Sequence, residues 1–113
     1  MAEIKNITRL GLENLIESGE NFKLVDVLSE EHYQKEHLQG AINLPADQIE
    51  HRAGVVLDKE DTIIVYCAGF ECQASAEAAD RLTSLGFKNV LRYEGGIKDW
   101  KEANLPIESN LKE

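Results

Sequence analysis

The stretch TIIVYC, residues 62–67, is a short apolar run of strand length. Continuous runs of this kind are typical of strands buried on both faces of a parallel sheet. A short loop, residues 68–74, follows it. The next segment, SAEAADRLTSLG at 75–86, has the pattern of a helix, with Ser75 as its N-cap and Gly86 at its end. We therefore predict a central strand that ends at Cys67 and leads through a loop into a helix.

The same alternation of strands and helices continues on both sides of this segment. Further strands are predicted at 22–28, 41–45 and 89–93. Helices are predicted between Thr8 and Gly19 and over 30–38, 46–53 and 97–103, and Ser29 caps the second of them. Gly54 is expected to open a loop after the third helix, and Gly95-Gly96 to form a turn before the last one. Such alternation implies parallel strands that are joined by helices in right-handed crossover connections. We expect an α/β fold with a central, mostly parallel sheet of about five strands and helices on both faces.

The bulk composition is that of one globular domain spanning residues 1–113. Hydrophobic residues make up 42% of the chain and charged residues 29%. The N-terminal residues contain no apolar segment like that of a signal peptide, and no run has the length of a membrane span, so we expect a cytoplasmic protein. The net charge of −9 argues against non-specific binding to nucleic acid or to an acidic membrane.

Cys67 is the main candidate for chemistry. In parallel sheets, functional groups collect at the carboxyl ends of the strands, where this cysteine stands. The first N–H groups of the following helix lack intrahelical partners, and they favour an anion, so the pKa of a facing thiol should lie below that of free cysteine. The loop can thus hold a thiolate, a persulfide or an oxyanion. The alternative is a structural cysteine at a strand end.

Four segments, in this order, resemble motifs of the rhodanese superfamily. They are LVDV at 24–27, HYQKEHLQGAINLP at 32–45, IIVYC at 63–67 and LRYEGGIKDWKEANLPI at 91–107. The resemblance implies a sulfurtransferase without a cofactor or a metal. In that mechanism Cys67 takes sulfane sulfur from thiosulfate, a polysulfide or a persulfide and passes it to a thiol acceptor, or to a partner protein, through a Cys67 persulfide.

The resemblance also assigns supporting residues. The amides of residues 68–73 would form the cradle for the persulfide, in an active-site loop that contains Ala68, Gly69, Phe70, Glu71 and Gln73. Asp26 and His37 match family positions that are more often structural than catalytic, and we expect structural roles for both.

The loop departs from the family pattern. It is longer than the common form and lacks the usual arginine, while Phe70 and Glu71 occupy it. Oxyanions favour bidentate contact with a guanidinium, so the departure argues against a phosphatase or an arsenate reductase more than against persulfide transfer. Two basic residues are candidates to approach the loop, Arg92 at a strand end and Lys98. Either can approach the loop in a supporting role, but we expect both to be solvated surface charges.

Cys72 lies five residues after Cys67 and leaves two functions open. It can fold back and resolve a Cys67 persulfide or sulfenate as a disulfide, or it can simply pack the loop. A metal site at the two cysteines would need more ligands, and His32, His37 and His51 lack the spacing of zinc ligands. The first function is sulfur transfer. The second is a non-enzymatic or redox-sensing module that binds a partner through its surface or responds through Cys67 and Cys72.

Overall fold

A computed structural model describes residues 5–110, and its frame is a five-stranded parallel sheet. In chain order the elements are β1 (Lys5–Ile7), α1 (Arg9–Ser18), β2 (Lys23–Asp26), α2 (Glu30–Lys35), β3 (His37–Leu38), β4 (Ile42–Asn43), α3 (Ile49–Val56), β5 (Thr62–Tyr66), α4 (Ala74–Ser84), β6 (Asn89–Tyr93), α5 (Gly96–Glu102) and β7 (Ile107–Glu108). The sheet has the order β1-β6-β5-β2-β4, with every neighbouring pair parallel. The predicted fold class is confirmed.

The predicted central strand, β5, lies in the middle of the sheet. Val65 pairs with Val25 of β2 on one side and with Arg92 of β6 on the other, and Tyr66 pairs with Asp26. Because all three strands run in the same direction, their carboxyl ends meet at one edge of the sheet. The residue that follows β5, Cys67, therefore lies at that edge.

Helices cover both faces of the sheet, as the alternation predicts. On one face, apolar residues of α3 and α4 pack on the sheet in a core cluster that includes Cys67. On the other face, Leu12 of α1 and Trp100 of α5 pack against Ile64 and Tyr66. No helix within residues 5–110 is long and apolar enough to cross a membrane.

The first helix has the predicted ends. The Thr8 hydroxyl accepts a hydrogen bond from the Gly11 N–H at 3.0 Å, which satisfies one of the unpaired donors of the first turn. Gly19 ends α1 in the left-handed region, with φ 75°. Its predicted apolar face is only partly covered, because Leu12 is buried whereas Leu10 and Ile16 are exposed.

Three predicted boundaries are wrong. The helix expected over 30–38 ends at Lys35, because His37 and Leu38 form an antiparallel pair with Ile107–Glu108, a partner distant in sequence. Gly54 lies inside α3 and does not open a loop. The helix after the cysteine loop starts at Ala74 with Gln73 as its capping residue, so Ser75 is not the N-cap but the second helical residue.

Candidate active site

Cys67 follows β5 directly and is 1% exposed. The start of α5 holds the backbone of this position. The Ile97 N–H donates to the Cys67 carbonyl at 3.0 Å, and the Lys98 N–H donates to the Ala68 carbonyl at 2.9 Å. The first turn of a helix normally leaves such donors unpaired. Here they fasten the beginning of the cysteine loop to a second element.

Gly96 allows this close approach. It adopts φ +62°, and a Cβ atom built there would lie 2.8 Å from the Gly69 nitrogen. An L side chain would be strained at this φ and would clash with the loop backbone. The sequence predicts that Gly95-Gly96 forms a turn between β6 and α5. The structure adds that Gly96 begins α5 and lets the cysteine loop lie against it.

Cys72 lies beside Cys67. The two cysteines form a disulfide in the structure, with their Cα atoms 6.3 Å apart. Cys72 is partly exposed, and its N–H donates to the Gly69 carbonyl at 3.1 Å, which closes a tight turn within the loop. The longer loop therefore brings the second sulfur back onto the first.

Ser75 faces the sulfur from the first turn of α4. It is 1% exposed, and its Oγ lies 3.4 Å from the Cys67 Sγ. A buried hydroxyl within contact distance of sulfur can donate a hydrogen bond to it. The helix prediction assigned Ser75 to the cap. The tertiary fold instead turns its side chain inward, toward the end of β5.

Arg92 reaches the same point from β6, contrary to the expected surface position. Its side chain is 11% exposed. Nε donates to Ser75 Oγ at 2.9 Å, Nη2 donates to the Cys72 carbonyl at 3.1 Å, and Nη1 lies 3.7 Å from a carboxylate oxygen of Glu94. The two-residue period of β6 puts Arg92 on the same face as Val90, which packs beneath α4. That period was the sequence signal for a buried guanidinium.

The exposed part of the loop borders a cleft of about 550 Å³. Its lining comprises residues 68–72, including Ala68, Gly69, Phe70, Glu71 and Cys72, together with Lys98, Asp99 and Glu102 of α5. Phe70 is 63% exposed, and Gln73, which follows Cys72, is also exposed. Lys98 is exposed, as the sequence predicts. Three carboxylates and one ammonium group therefore surround the approach to the disulfide.

Asp26 and His37 support the fold beside this site. The Asp26 carboxylate accepts hydrogen bonds from the Leu28 N–H at 2.8 Å and from the Tyr66 hydroxyl at 2.9 Å, and burial raises its pKa. The His37 ring stacks on Tyr33, with ring centroids 3.9 Å apart. Within residues 5–110, neither side chain forms a hydrogen bond to Cys67.

None of the three histidines forms a metal-binding group with the two cysteines. His51 is exposed on α3, and the His32 Nδ1 lies 2.7 Å from the Ser29 hydroxyl, also at the surface. His37 is buried against Tyr33. Among the residues that the structure describes, no group of three His, Cys, Asp or Glu side chains is placed to hold a metal ion.

Comparisons with known proteins agree with this geometry. A family model described as "Rhodanese-like domain" matches residues 9–103. Thiosulfate sulfurtransferase PspE of Escherichia coli K12 is 44% identical over 77 residues, which are 66% of this chain and 70% of PspE. The putative sulfur carrier protein YrkF of Bacillus subtilis is 27% identical over 99 residues, 88% of this chain but only 52% of YrkF.

Solved structures show the same relationship. The BH2092 protein from Bacillus halodurans superposes with a TM-score of 0.87 at 33% sequence identity, covering 95% of this chain and 78% of that one. A cysteine at the end of the central strand, the loop into α4 and the matching family model lead to one conclusion. The chain belongs to the rhodanese-like domain family.

Proposed function

We propose that this protein carries sulfane sulfur as a persulfide on Cys67 and passes it to a thiol acceptor. The observation that carries the proposal is the position of Cys67, buried at the carboxyl end of β5 with the Ser75 hydroxyl of α4 facing its sulfur at 3.4 Å. A hydroxyl donor and the positive end of a helix both favour a sulfur anion. Relatives named as a thiosulfate sulfurtransferase and a sulfur carrier support the same chemistry.

The proposed reaction has two exchanges. The Cys67 thiolate attacks the outer sulfur of a donor persulfide, RS–SH. The donor S–S bond breaks, RS⁻ leaves with the electron pair, and Cys67 becomes a persulfide. An acceptor thiolate then attacks the terminal sulfur, the Cys67 S–S bond breaks, and the Cys67 thiolate is regenerated. With thiosulfate as donor, the group that leaves is sulfite.

The charge around the loop favours some donors over others. Glu71, Asp99 and Glu102 border the cleft with Lys98, and of the three carboxylates Asp99 is ion-paired with Arg9, so the acidic lining as a whole disfavours a dianion such as thiosulfate. We therefore propose that persulfides and polysulfides load Cys67 faster than thiosulfate does. The Cys67–Cys72 disulfide must be reduced before either kind of donor can react.

Sulfur loading tests the proposal directly. The reduced protein is incubated with thiosulfate, with inorganic polysulfide or with glutathione persulfide, and its intact mass is measured after removal of the donor. We expect a mass increase of one sulfur atom in Cys72→Ser and none in Cys67→Ser, whereas in the wild type the Cys72 thiolate can displace hydrosulfide from the Cys67 persulfide and restore the disulfide. The proposal is wrong if no donor adds sulfur to Cys72→Ser, or if Cys67→Ser loads equally well.

A second candidate function, redox sensing, is favoured by the disulfide itself. A peroxide would oxidise the Cys67 thiolate to a sulfenic acid, and the Cys72 thiol would then displace water to form the disulfide. Mild peroxide should then convert the reduced wild type to the disulfide form, whereas Cys72→Ser should stop at the Cys67 sulfenic acid and Cys67→Ser should react more slowly. Two thiols that stay reduced under the same treatment would exclude this function.

A further inference from the structure

Arg92 is mostly enclosed at the sulfur site with little neutralising charge. Its side chain is 11% exposed, and the carboxylate nearest to it, that of Glu94, lies 3.7 Å away on a side chain that is 38% exposed. Burying a cation is costly unless hydrogen bonds and an opposite charge compensate. Two of the groups that receive its hydrogen bonds, Ser75 Oγ and the Cys72 carbonyl, are neutral. The missing negative charge is supplied when Cys67 is a thiolate or a persulfide anion.

The hydrogen bonds have a direction. The Arg92 Nε–H donates to Ser75 Oγ at 2.9 Å, so it occupies a lone pair of that hydroxyl. The hydroxyl proton remains free to point at the Cys67 Sγ, 3.4 Å away. A hydroxyl that accepts from a cation is a stronger donor to its own acceptor. Through these two contacts the guanidinium stabilises negative charge on the Cys67 sulfur.

Arg92 also fixes the far end of the loop. Its Nη2 donates to the Cys72 carbonyl at 3.1 Å, whereas the near end is held by the Ile97 and Lys98 amides of α5. The loop is therefore anchored from two sides, with the Cys67 sulfur between the anchors. A planar guanidinium can make both contacts at once, which an ammonium group cannot do with the same geometry.

We propose that Arg92 is a positioning residue for Cys67, which acts through Ser75 and the Cys72 carbonyl in place of the loop arginine that this chain lacks. This inference rests on the proposed role of Cys67 as the reacting thiol. Arg92 does not contact the substrate. It orients the sulfur and makes its anionic form more favourable.

Other charges act on the same thiol and are held constant in the test. On the side of the cysteine loop they are Glu71, Glu77 of α4, Glu94 just after β6, and Lys98, Asp99 and Glu102 of α5. A second cleft, which Ala68 and Ile97 line, adds His32, Lys35 and Glu36. Only Arg92 and its two hydrogen-bonding partners, Ser75 and Cys72, are altered.

The test measures the rate at which iodoacetamide alkylates Cys67 as a function of pH. A Cys72→Ala background leaves a single thiol and keeps the carbonyl that Arg92 contacts. Arg92→Met should lower the rate at neutral pH roughly tenfold, because the midpoint of the profile moves to higher pH. Ser75→Ala should move it in the same direction, and Arg92→Lys should give an intermediate value.

The plateau at high pH separates an effect on the ionisation of Cys67 from a distortion of the site. Once the thiol is fully ionised, variants that alter only its ionisation should react as fast as the background protein or slightly faster, because a thiolate of higher pKa is the stronger nucleophile, whereas a distorted site would lower the plateau. Arg81→Met is the matched control, because Arg81 is an exposed arginine of α4 that donates to the Ala46 carbonyl at 3.2 Å. It should leave the profile unchanged.

Unchanged midpoints in Arg92→Met and Ser75→Ala would overturn the inference. If Arg92→Met does not fold, Ser75→Ala and Arg92→Lys decide the matter by the same criterion. Sulfur loading is measured separately on each variant. Shifted profiles in Arg92→Met and Ser75→Ala, together with a Cys72→Ala background protein that takes up no sulfur, contradict the proposed function alone. Normal loading with unshifted profiles contradicts the role of Arg92 alone.

Discussion

The buried carboxyl group of Asp26 accepts hydrogen bonds from the residues after β2 and from the neighbouring strand β5. One oxygen accepts the Leu28 N–H, and the other accepts the Tyr66 hydroxyl of the adjacent strand. That hydroxyl in turn accepts the Leu38 N–H at 3.0 Å. The three bonds link β2, β5 and β3 through one carboxylate, and a structural role for Asp26 stays a prediction.

Asp26→Asn should change how stability depends on pH. Burial raises the pKa of Asp26 above its ordinary value of 3.8, so the folded state holds its proton more tightly than the unfolded state. The stability that the protonated carboxyl contributes is complete below pH 3.8 and is lost as pH rises through the folded pKa. The wild type should therefore gain stability relative to Asp26→Asn on acidification, by about 1.4 kcal/mol for each unit of pKa elevation.

Urea unfolding of both proteins at a series of pH values provides the measurement. The difference in the free energy of unfolding, wild type minus variant, should rise as pH falls toward 3.8 and level off below that. A difference that falls over this range would show that the folded pKa is lowered and would contradict the prediction.

Tyr66→Phe should destabilise the protein by about 1–3 kcal/mol. The change leaves a buried Asp26 oxygen without its donor and the Leu38 N–H without its acceptor. Tyr93→Phe is the control, because the Tyr93 hydroxyl also donates to a carboxylate, that of Asp99, at 2.7 Å, but the Asp99 side chain is 19% exposed and can be hydrated. Thermal or urea unfolding should show the larger loss in Tyr66→Phe, and equal losses would count against the network.

Among the elements, the contact between α5 and the cysteine loop depends on Gly96. Gly96→Ala should destabilise the protein by about 1–3 kcal/mol and displace the loop, since φ +62° strains an L residue and the added Cβ meets the Gly69 nitrogen. Gly54→Ala is the matched control. Gly54 lies inside α3 with open space around it, so this change should stabilise by about 0.4–1 kcal/mol.

Unfolding measurements on both glycine variants check this pair of predictions, with the alkylation rate of Cys67 as a local readout. A Gly96→Ala protein as stable as the wild type and with an unchanged Cys67 rate would contradict the close approach.

The boundaries of some helices and strands follow from local sequence patterns, and those of others do not. The ends of α1 and the bounds of β6 follow from Thr8, Gly19 and the strand pattern at 89–93, because caps and short-range periodicity determine them. The end of α2 does not. His37 leaves the helix because Glu108, far along the chain, pairs with it. Such a partner contributes no signal to the residues around 37.

For the whole molecule, charge should select the sulfur acceptor. The net charge is −9, and Glu71, Asp99 and Glu102 border the cleft that Cys72 lines. If Cys67 transfers sulfur as proposed, a cationic thiol such as cysteamine should accept it several-fold faster than the anionic thiol thioglycolate at low salt, with mercaptoethanol between them. The difference should shrink as ionic strength rises, because salt screens exposed charges.

Transfer rates from the preloaded protein to the three thiols, corrected for the thiolate fraction of each, measure this preference. Glu71→Gln should reduce it. Equal corrected rates at low salt, or a preference for thioglycolate, would contradict a role for the carboxylates. The cytoplasmic location stays a prediction and does not bear on this experiment.

The amino-acid sequence by itself determined the parallel α/β sheet, the central place of β5 and the location of Cys67 at its end. These features follow from apolar runs, caps and glycines, which act over a few residues. Only the tertiary structure decided what surrounds the sulfur. Ser75 and Arg92 lie on α4 and β6 and meet Cys67 because three elements pack at one sheet edge, and the loop returns Cys72 to the same place. Contacts between residues distant in sequence arise from packing, which local patterns do not encode.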